Sequence, residues 1–242
     1  MADLFSPDWP APANVRSLQT RRGGGVSQPP WDSFNLGDHV GDAPEDVARN
    51  RQLLCDLLPT APCWLKQVHG VKVVDATIAP PGIEADASFC RQSGAVCVIM
   101  TADCLPVLFC DRAGTIVAAA HAGWRGLADG VLEATVAAMQ APANGIVAWF
   151  GPAAGPDAYE IGSEVFEAFV SRDAAAAAAF APTRPGHWKV DLYALARQRL
   201  AAVGVADVHG GGLCTISDPA RFFSHRRDRR SGRIATLAWI EG

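Results

Sequence analysis

Short runs of apolar residues, separated by polar turns, stand out in the middle of the chain, and one more run lies near its C-terminus. Runs of this length without polar interruption are typical of strands that are covered on both faces, although a buried helix gives the same pattern. The sequence Asp111-Arg112-Ala113-Gly114 is a turn signal between two of them. The predicted strands cover residues 95–100, 106–110, 115–120, 145–150 and 234–240.

The segment from Pro44 to Leu58 is predicted to be a helix, because five positions recur at steps of three and four: Val47, Asn50, Arg51, Leu54 and Leu58. Pro44 suits a first helical turn and Pro59 ends the helix. Two short strands are expected on either side of His69-Gly70, at 64–68 and 71–74. Strands and helices mix without strict alternation, which predicts an α+β fold or a mixed sheet. Further helices are predicted at 127–139, 163–170, 174–179 and 192–203.

Composition restricts the class of protein. Of the 242 residues, 49% are apolar and 19% are charged, which excludes a disordered chain. The net charge of −4 argues against a nucleic-acid partner. We expect no membrane segment, because no apolar run approaches the ~18 residues of a span. The acidic, proline-containing N-terminus lacks the pattern of a signal peptide, so a cytoplasmic protein is expected.

The seven cysteines favour free thiols. Their number is odd, the chain is long and no two of them form a Cys-x-x-Cys pair. These observations argue against a disulfide framework, a zinc finger and a thioredoxin-like site. A cysteine that binds a metal must therefore take its other ligands from distant segments.

Reactive side chains stand where three predicted strands open into loops, within 66–70, 101–106 and 120–126. His69, Cys104 and His121 together are good ligands for Zn²⁺ or copper, and three ligands leave a fourth position for water or substrate. Asp103 is then placed to orient or deprotonate that water. Two alternatives stay open: the histidines are structural and Cys104 is a small buried residue, or Cys104 is a nucleophile with His121 or His69 as its base.

Six arginines fall within residues 221–233, an unusual density for an acidic chain. Guanidinium groups bind phosphate or carboxylate in pairs of hydrogen bonds, so this cluster and Arg125 could form an anion subsite. The alternative is a solvated turn before the last strand. The chain has no Walker A loop, no Gly-x-Gly-x-x-Gly, no His-Glu-x-x-His and no Gly-x-Ser-x-Gly motif, which weakens several common enzyme classes.

In this order, the motifs resemble those of the YfiH-type family, also called multicopper polyphenol oxidase or laccase-like and purine nucleoside phosphorylase-like. The resemblance runs from about residue 23 to the C-terminus. His225 departs from it, because Tyr is common at that position. The matching stretches are Ser33-Phe34-Asn35-Leu36-Gly37, His39-Val40-Gly41-Asp42, Asn50-Arg51, Gln67-Val68-His69-Gly70, Thr101-Ala102-Asp103-Cys104-Leu105-Pro106, His121-Ala122-Gly123-Trp124-Arg125-Gly126, Gly151-Pro152, Tyr159-Glu160, Cys214-Thr215 and Phe222-Phe223-Ser224-His225-Arg226-Arg227-Asp228.

The resemblance implies a YfiH-like (cytotoxic necrotizing factor-like) fold of the α+β class, layered α/β/β/α with mixed β-sheets. Residues 23–242 are then one catalytic domain, and residues 1–22 are expected to be a mobile N-terminal segment. The protein is expected to be a monomer or a small homo-oligomer. Zinc, or alternatively copper, is implied at His69, Cys104 and His121, with Asp103 completing the catalytic group. Substrate binding is assigned to Asn35, Arg51, Arg125, Phe222, Arg226 and Arg227.

The activity implied is phosphorolysis of adenosine, inosine, guanosine and methylthioadenosine, together with adenosine deamination. In the first alternative, the same metal serves a peptidoglycan-editing hydrolase that removes L-Ser from UDP-MurNAc-L-Ser. In the second, the protein is a copper-dependent polyphenol oxidase. Six histidines are fewer than a multi-copper centre needs, so the oxidase activity is treated as secondary.

Overall fold

The computed structural model describes residues 2–242, and all elements below lie within that range. The strands are β1 Leu4–Phe5, β2 Val15–Thr20, β3 Val73–Asp75, β4 Ala87–Cys90, β5 Val96–Thr101, β6 Leu105–Asp111, β7 Val117–Ala122, β8 Ile146–Phe150, β9 Glu160–Gly162, β10 Phe180–Arg184, β11 His187–Val190, β12 Asp207–Gly210 and β13 Ile234–Ile240. The α-helices are α1 Pro44–Cys55, α2 Trp124–Asp129, α3 Val131–Met139, α4 Ser163–Val170, α5 Leu192–Ala202 and α6 His225–Asp228. None of the helices described is long and apolar enough to cross a membrane.

Two main sheets form the centre of the molecule. The larger has the order β12-β8-β6-β7-β4-β3 and is mixed, since β12 runs parallel to β8 and β3 parallel to β4, whereas β6 is antiparallel to both of its neighbours. The smaller is antiparallel, with the order β1-β2-β13-β5. A third sheet, β10-β11-β9, stands apart from these two.

Alternation of side chains along the central strands explains their continuous apolar sequence. On β6, Val107 and Phe109 pack with residues of α2, α3 and α5, while Leu108 and Cys110 face the smaller sheet. Side chains at successive positions point to opposite faces, so a strand buried on both faces needs apolar residues at every position.

The smaller sheet is covered in the same way. Cys97 and Ile99 of β5 pack between the two sheets, whereas Val98 and Met100 pack with Leu54 of α1 on the outer face. The layers are therefore helices, larger sheet, smaller sheet and α1. The expected layered fold with mixed sheets is confirmed.

All five apolar runs form strands, which shift by at most two residues from the expected bounds. The predicted helix over 127–139 is part of two helices, α2 and α3, because Gly130 adopts a left-handed conformation (φ 101°) between them. The alanine run Ala174–Ala179 is a 3₁₀ helix rather than an α-helix, since a segment of this length forms few α-helical hydrogen bonds. Residues 64–68 form one isolated bridge, between Lys66 and Glu84, instead of a strand, and a second bridge joins the preceding Cys63 to Cys97.

The N-terminal segment also differs from the expectation of a mobile stretch over residues 1–22, of which Met1 lies outside the described residues. β1 and β2 belong to the smaller sheet, and β2 pairs with β13 along its length. Gln19 is fully buried there: its side chain donates to the Ala235 carbonyl and accepts from Thr236 Oγ1 at 2.6 Å. The strand had no recognisable apolar pattern because part of its buried surface is polar and satisfied by hydrogen bonds.

Candidate metal centre

The candidate site lies at one end of the layer between the two main sheets. His121 is on β7 and faces the same way as Val117 and Ala119, whose side chains fill that layer. β6 pairs with β7 so that Pro106 lies opposite His121, which brings the segment before β6, with Cys104, to the same edge.

A carboxylate that the sequence reasoning did not single out fixes His121. Asp86 precedes β4, is fully buried, and its Oδ1 lies 2.8 Å from His121 Nδ1. The same carboxylate accepts backbone N–H bonds from residues 68, 69 and 70 at 3.2, 2.8 and 2.7 Å. One buried side chain therefore holds both a metal-ligand candidate and the loop that carries another.

His69 and Cys104 complete the group. His69 adopts a positive φ of 63°, and the hydrogen bonds from its loop to Asp86 hold it in this uncommon conformation. Its Nε2 lies 3.7 Å from Cys104 Sγ, and its ring centroid lies 4.7 Å from that of His121. One ligand atom from each of the three residues lies within 4.8 Å of the other two.

Proximity changes the protonation of these groups in the metal-free protein. Burial raises the pKa of the Cys104 thiol, but the His121 charge and hydrogen bonds from His121 and His69 outweigh it and lower the pKa to about 6. Burial lowers the pKa of His121, but the Cys104 thiolate and Asp86 raise it to about 9. At neutral pH, the pair is therefore a thiolate beside an imidazolium.

These residues fit a zinc ion. Tetrahedral Zn²⁺ with nitrogen and thiolate ligands separates its ligand atoms by roughly 3.3–3.8 Å. The three atoms here lie within 4.8 Å of one another, and Cys104 Sγ is 3.7 Å from His69 Nε2. His121 Nδ1 is hydrogen-bonded to Asp86, which leaves Nε2 as the nitrogen that can bind the ion, as in other carboxylate–histidine–metal arrangements. Three protein ligands leave one position for a substrate or water.

Gly123 makes room for the cluster. A Cβ at this position would lie 2.7 Å from His69 Cδ2 and 2.9 Å from Cys104 Sγ, closer than van der Waals contact allows. The nearby Gly126 is also constrained, because a Cβ there would lie 2.9 Å from the Gly70 carbonyl oxygen. The two glycines in His-Ala-Gly-Trp-Arg-Gly therefore serve close approach to the loop of residues 69–70.

Asp103 lies next to Cys104 in sequence, but both of its carboxylate oxygens have partners elsewhere. Oδ1 accepts from Thr215 Oγ1 at 2.6 Å and Oδ2 accepts from the Arg226 backbone N–H at 2.6 Å. Its backbone adopts φ 90°, and its carbonyl accepts from the Ala154 N–H at 2.8 Å. Asp103 thus ties three loops together at the edge of the site.

A cavity of about 350 Å³ opens over the metal-ligand candidates. Four of the six histidines of the chain contribute to its wall, together with Arg233, Gln67 and Thr101. Gln67 is held rigidly, since its side chain donates to the Met100 carbonyl and accepts from the Met100 N–H, both at 2.8 Å. The histidines are His39, His69, His121 and His225.

A second cavity of about 660 Å³ adjoins the first and shares His39 and Gln67 with it. Arg51, one of the expected substrate-binding residues, lies in its wall with its guanidinium 4.3 Å from the ring centroid of Trp64. Arg51 also donates to the Leu36 carbonyl and pairs with Asp38 at 3.2 Å.

The remaining expected substrate-binding residues lie outside both cavity walls. Asn35 is fully buried and donates to the Gly37 carbonyl and Asp42, so it braces a loop. Phe222 is fully buried in a small cluster with Phe223 and cannot stack on a substrate without rearrangement. Arg125 is exposed on the Trp124 ring.

Arg226 and Arg227 follow the same trend. Arg226 donates to the Glu160 carbonyl and lies over the Tyr159 ring. The guanidinium of Arg227 donates hydrogen bonds to the carbonyls of residues 215, 216 and 222 and to the Asp228 carboxylate. The cavity contains Arg233 instead, the last arginine of the cluster at 221–233. In the sequence, one signal distinguishes Arg233 from the other arginines of the cluster: it directly precedes the buried strand β13.

Comparison with known proteins gives consistent relatives. The family model described as "Multi-copper polyphenol oxidoreductase laccase" matches residues 16–241. A purine nucleoside phosphorylase of Pseudomonas aeruginosa is 57% identical over 238 residues, 98% of each chain. The "Purine nucleoside phosphorylase YfiH" of Escherichia coli is 52% identical over 99% of this chain and 100% of its own.

Solved structures agree with the fold. A Neisseria meningitidis protein matches with a TM-score of 0.96 at 51% identity, covering 99% of this chain and 100% of its own. YfiH of Bacillus licheniformis matches with a TM-score of 0.88 at 27% identity, over 94% and 93% of the two chains. The resemblance based on the sequence motifs is confirmed.

Proposed function

The chain belongs to the YfiH-type, multi-copper polyphenol oxidoreductase laccase family, and from this premise we propose that it is a zinc-dependent purine nucleoside phosphorylase. The observation that carries the proposal is the His69–Cys104–His121 cluster at the base of a cavity of nucleoside size. Its relatives' names support the substrate class, a purine nucleoside with phosphate as the second substrate.

In phosphorolysis, an oxygen of phosphate forms a bond to C1′ of the ribose while the bond from C1′ to the purine nitrogen breaks. The electron pair of that bond leaves with the base, which takes up a proton. Zinc would supply a fixed positive charge that polarises an oxygen of the substrate or of phosphate. The remaining work belongs to positioning and proton transfer by the residues of the cavity wall.

Two features of the wall suit this role. Gln67 is locked by its paired hydrogen bonds to Met100, so a substrate held against it loses little freedom after binding. His39 and His225 lie in the wall outside the metal-ligand group, and an imidazole there can donate the proton that the departing base requires. Asp86 keeps His121 oriented throughout the reaction.

Zinc suits the donor set better than a group of coppers. Within residues 2–242, one cluster of at least three potential ligands is present, and it consists of these three residues. A multi-copper oxidase distributes several ions over many histidines, whereas this chain has six. Copper oxidation of phenols is therefore a secondary activity in our proposal.

The test uses purified, metal-analysed protein and adenosine, with and without phosphate, followed by chromatography of the products. Adenine and ribose 1-phosphate that form only with phosphate support the proposal. The Cys104→Ala variant should lose turnover and bound zinc. The matched control is Cys55→Ala, which removes a thiol at the end of α1, outside the metal-ligand cluster.

Absence of adenine with zinc-loaded wild-type protein would contradict phosphorolysis. Deamination is a second activity within the proposal, and the same chromatogram reports it, because inosine would form without phosphate. The same site can hold an activated water for that reaction, since three protein ligands leave one position open.

The adjoining cavity supports one other candidate, a hydrolase that removes L-Ser from UDP-MurNAc-L-Ser. A substrate of that size exceeds a nucleoside, and the second cavity of about 660 Å³ meets the first at His39 and Gln67. Release of serine from that substrate, measured beside adenosine turnover on the same protein, separates the two functions. The free state of all seven cysteines supports a reducing compartment such as the cytoplasm for either one.

A further inference from the structure

Arg233 stands directly before β13 and faces the cavity over the metal-ligand candidates. Its backbone is fixed, because its N–H donates to Asn35 Oδ1 at 2.8 Å and its carbonyl accepts from the Leu36 N–H. One end of its guanidinium is fixed as well: Nη1 donates to the Ser231 and Gly232 carbonyls, both at 3.0 Å.

The other edge of this guanidinium has no protein partner. Among residues 2–242, no acceptor lies within hydrogen-bond distance of its Nε or Nη2, and no carboxylate forms an ion pair with it. Arg51 and Arg227, in contrast, pair with Asp38 and Asp228. Nε and Nη2 together present the two parallel donors with which arginine binds two oxygens of one phosphate or carboxylate.

The charge of the cavity favours an anion. None of the described residues in its wall is Asp or Glu, and its one anionic group, the Cys104 thiolate, lies beside the His121 imidazolium. The wall also contains Arg233 and three further histidines. Burial lowers the pKa of Arg233, with the charges of Cys104 and Asp103 acting in the opposite direction. A half-buried cation without a carboxylate partner is costly, and an anionic ligand would offset that cost.

Thr101 adds a second group to the same wall. Thr101, the last residue of β5, pairs with Ile234, the first residue of β13. Because Arg233 directly precedes Ile234, Thr101 and Arg233 are neighbours at this end of the smaller sheet. Its Oγ1 is buried and has no hydrogen-bond partner among the described residues. Buried hydroxyls nearly always have a partner, so this one is available to a ligand in the cavity once its enclosed side chain, about 1% exposed, turns toward the wall.

We propose that Arg233, through Nε and Nη2, and the Thr101 hydroxyl bind inorganic phosphate, the attacking substrate, beside the metal-ligand cluster. The proposal rests on the proposed function for the identity of the anion. Within the expected anion subsite it selects Arg233 rather than Arg125, Arg226 or Arg227, whose guanidinium groups lie outside this wall or are bound to other groups. Phosphate held here lies in the same cavity as the three ligands.

The experiment measures both binding and turnover on zinc-loaded protein. Inorganic phosphate is titrated and followed by ³¹P line broadening, and the KM for phosphate is measured at saturating adenosine. Arg233→Gln should weaken phosphate binding and raise its KM by about 10- to 100-fold, the range for loss of a paired hydrogen bond to a charge, with a smaller change in the KM for adenosine. Arg233→Lys should recover part of the affinity, because lysine restores the charge but not the paired donors.

Two further variants keep the test decisive if Arg233→Gln folds poorly. Thr101→Val preserves shape and should raise the KM for phosphate several-fold, roughly the loss of one hydrogen bond. Arg230→Gln is the matched control, since Arg230 lies over the Trp31 ring and outside the cavity wall. It should leave both KM values unchanged.

Failure of this inference and failure of the proposed function give different results. If the wild-type protein cleaves adenosine with phosphate but Arg233→Gln and Thr101→Val keep the wild-type KM for phosphate, the site is wrong and the function stands. If the wild-type protein binds phosphate through Arg233 but forms no ribose 1-phosphate, the anion site stands and the phosphorylase proposal fails. Equal phosphate binding by all variants, without turnover, would overturn both.

Discussion

His121 Nδ1 lies 2.8 Å from Asp86 Oδ1, and both side chains are almost completely buried. The two residues are 35 positions apart in sequence and are brought together by the pairing of β4 with β7, in which Ala87 lies opposite Ala120. Because Asp86 also accepts three N–H bonds from residues 68–70, it connects the two histidines of the cluster through one carboxylate.

Asp86→Asn should therefore weaken zinc binding by about 10- to 100-fold, the usual effect of removing a partner that orients a metal ligand. The NH₂ group of the asparagine would face the backbone N–H groups of residues 68–70 or the His121 ring nitrogen, which donate to Asp86 in the wild type. Zinc affinity is measured by competition with a chromophoric chelator. Glu84→Gln is the control, since Glu84 pairs with Lys66 on the surface, and its zinc affinity should match the wild type. Equal affinities in the two variants would contradict this role of Asp86.

In the metal-free protein, the Cys104 thiol should react with iodoacetamide as a thiolate down to about pH 6. Its pKa is lowered to about 6, so the thiolate predominates above that pH and the rate falls about tenfold for each pH unit below it. Mass spectrometry of the labelled peptide gives the rate at each pH. Cys55, whose pKa is raised by burial, provides the internal comparison. An inflection near pH 9 for Cys104 would show that the imidazoles do not stabilise its thiolate.

Gly123→Ala should displace the ligands while the fold is retained. The added Cβ would overlap His69 Cδ2 and Cys104 Sγ, and overpacking of this kind costs about 1–3 kcal/mol. We expect most zinc binding and turnover to be lost, with far-ultraviolet circular dichroism unchanged. Gly145→Ala is the matched control, because nothing lies within 4 Å of a Cβ there. Wild-type zinc content in Gly123→Ala would mean that the loop adjusts.

Asp103→Asn should lower the free energy of unfolding by about 1–3 kcal/mol, because the Arg226 N–H and the Thr215 hydroxyl would lose a charged acceptor and keep only a neutral amide as partner. Asparagine tolerates the positive φ at this position, so the change isolates the hydrogen bonds. Urea unfolding measures the loss, and Thr215→Val should reproduce part of it. If Asp103 instead shuttles protons, the pH–rate profile of Asp103→Asn would lose one limb with little change in stability.

The central strands could be predicted from sequence because they are buried on both faces. A strand such as β6 must be apolar at nearly every position, and that requirement leaves a visible run. The N-terminal strand β2 could not be predicted in this way, since Gln19 and Thr20 are buried through hydrogen bonds to β13, more than 200 residues away. A polar strand of this kind has the composition of a loop until its partner is known.

The arginines considered for substrate binding show the same division. Arg226, Arg227 and Arg233 belong to one arginine-rich segment and have the same chemistry in sequence. Only the contacts separate them: Arg227 donates to backbone carbonyls and Arg226 to the Glu160 carbonyl, whereas Arg233 lines the cavity and donates within the protein through Nη1 alone. Residue type therefore predicts which groups can bind an anion, but not which of them has donors free to do so.

By itself, the sequence indicated an α+β or mixed-sheet fold and made His69, Cys104 and His121 metal-ligand candidates. The layered arrangement and the choice of these three ligands followed from the resemblance of their motifs to the YfiH-type family. Apolar periodicity and ligand chemistry are properties of residue types in local order, and short segments display them. The tertiary structure alone decided that Asp86 orients His121, and that Arg233 faces the cavity while Asp103 ties loops together. Those roles depend on which side chains lie next to each other across paired strands and which of their hydrogen-bonding groups already have partners. Both are determined by residues that are far apart in the sequence.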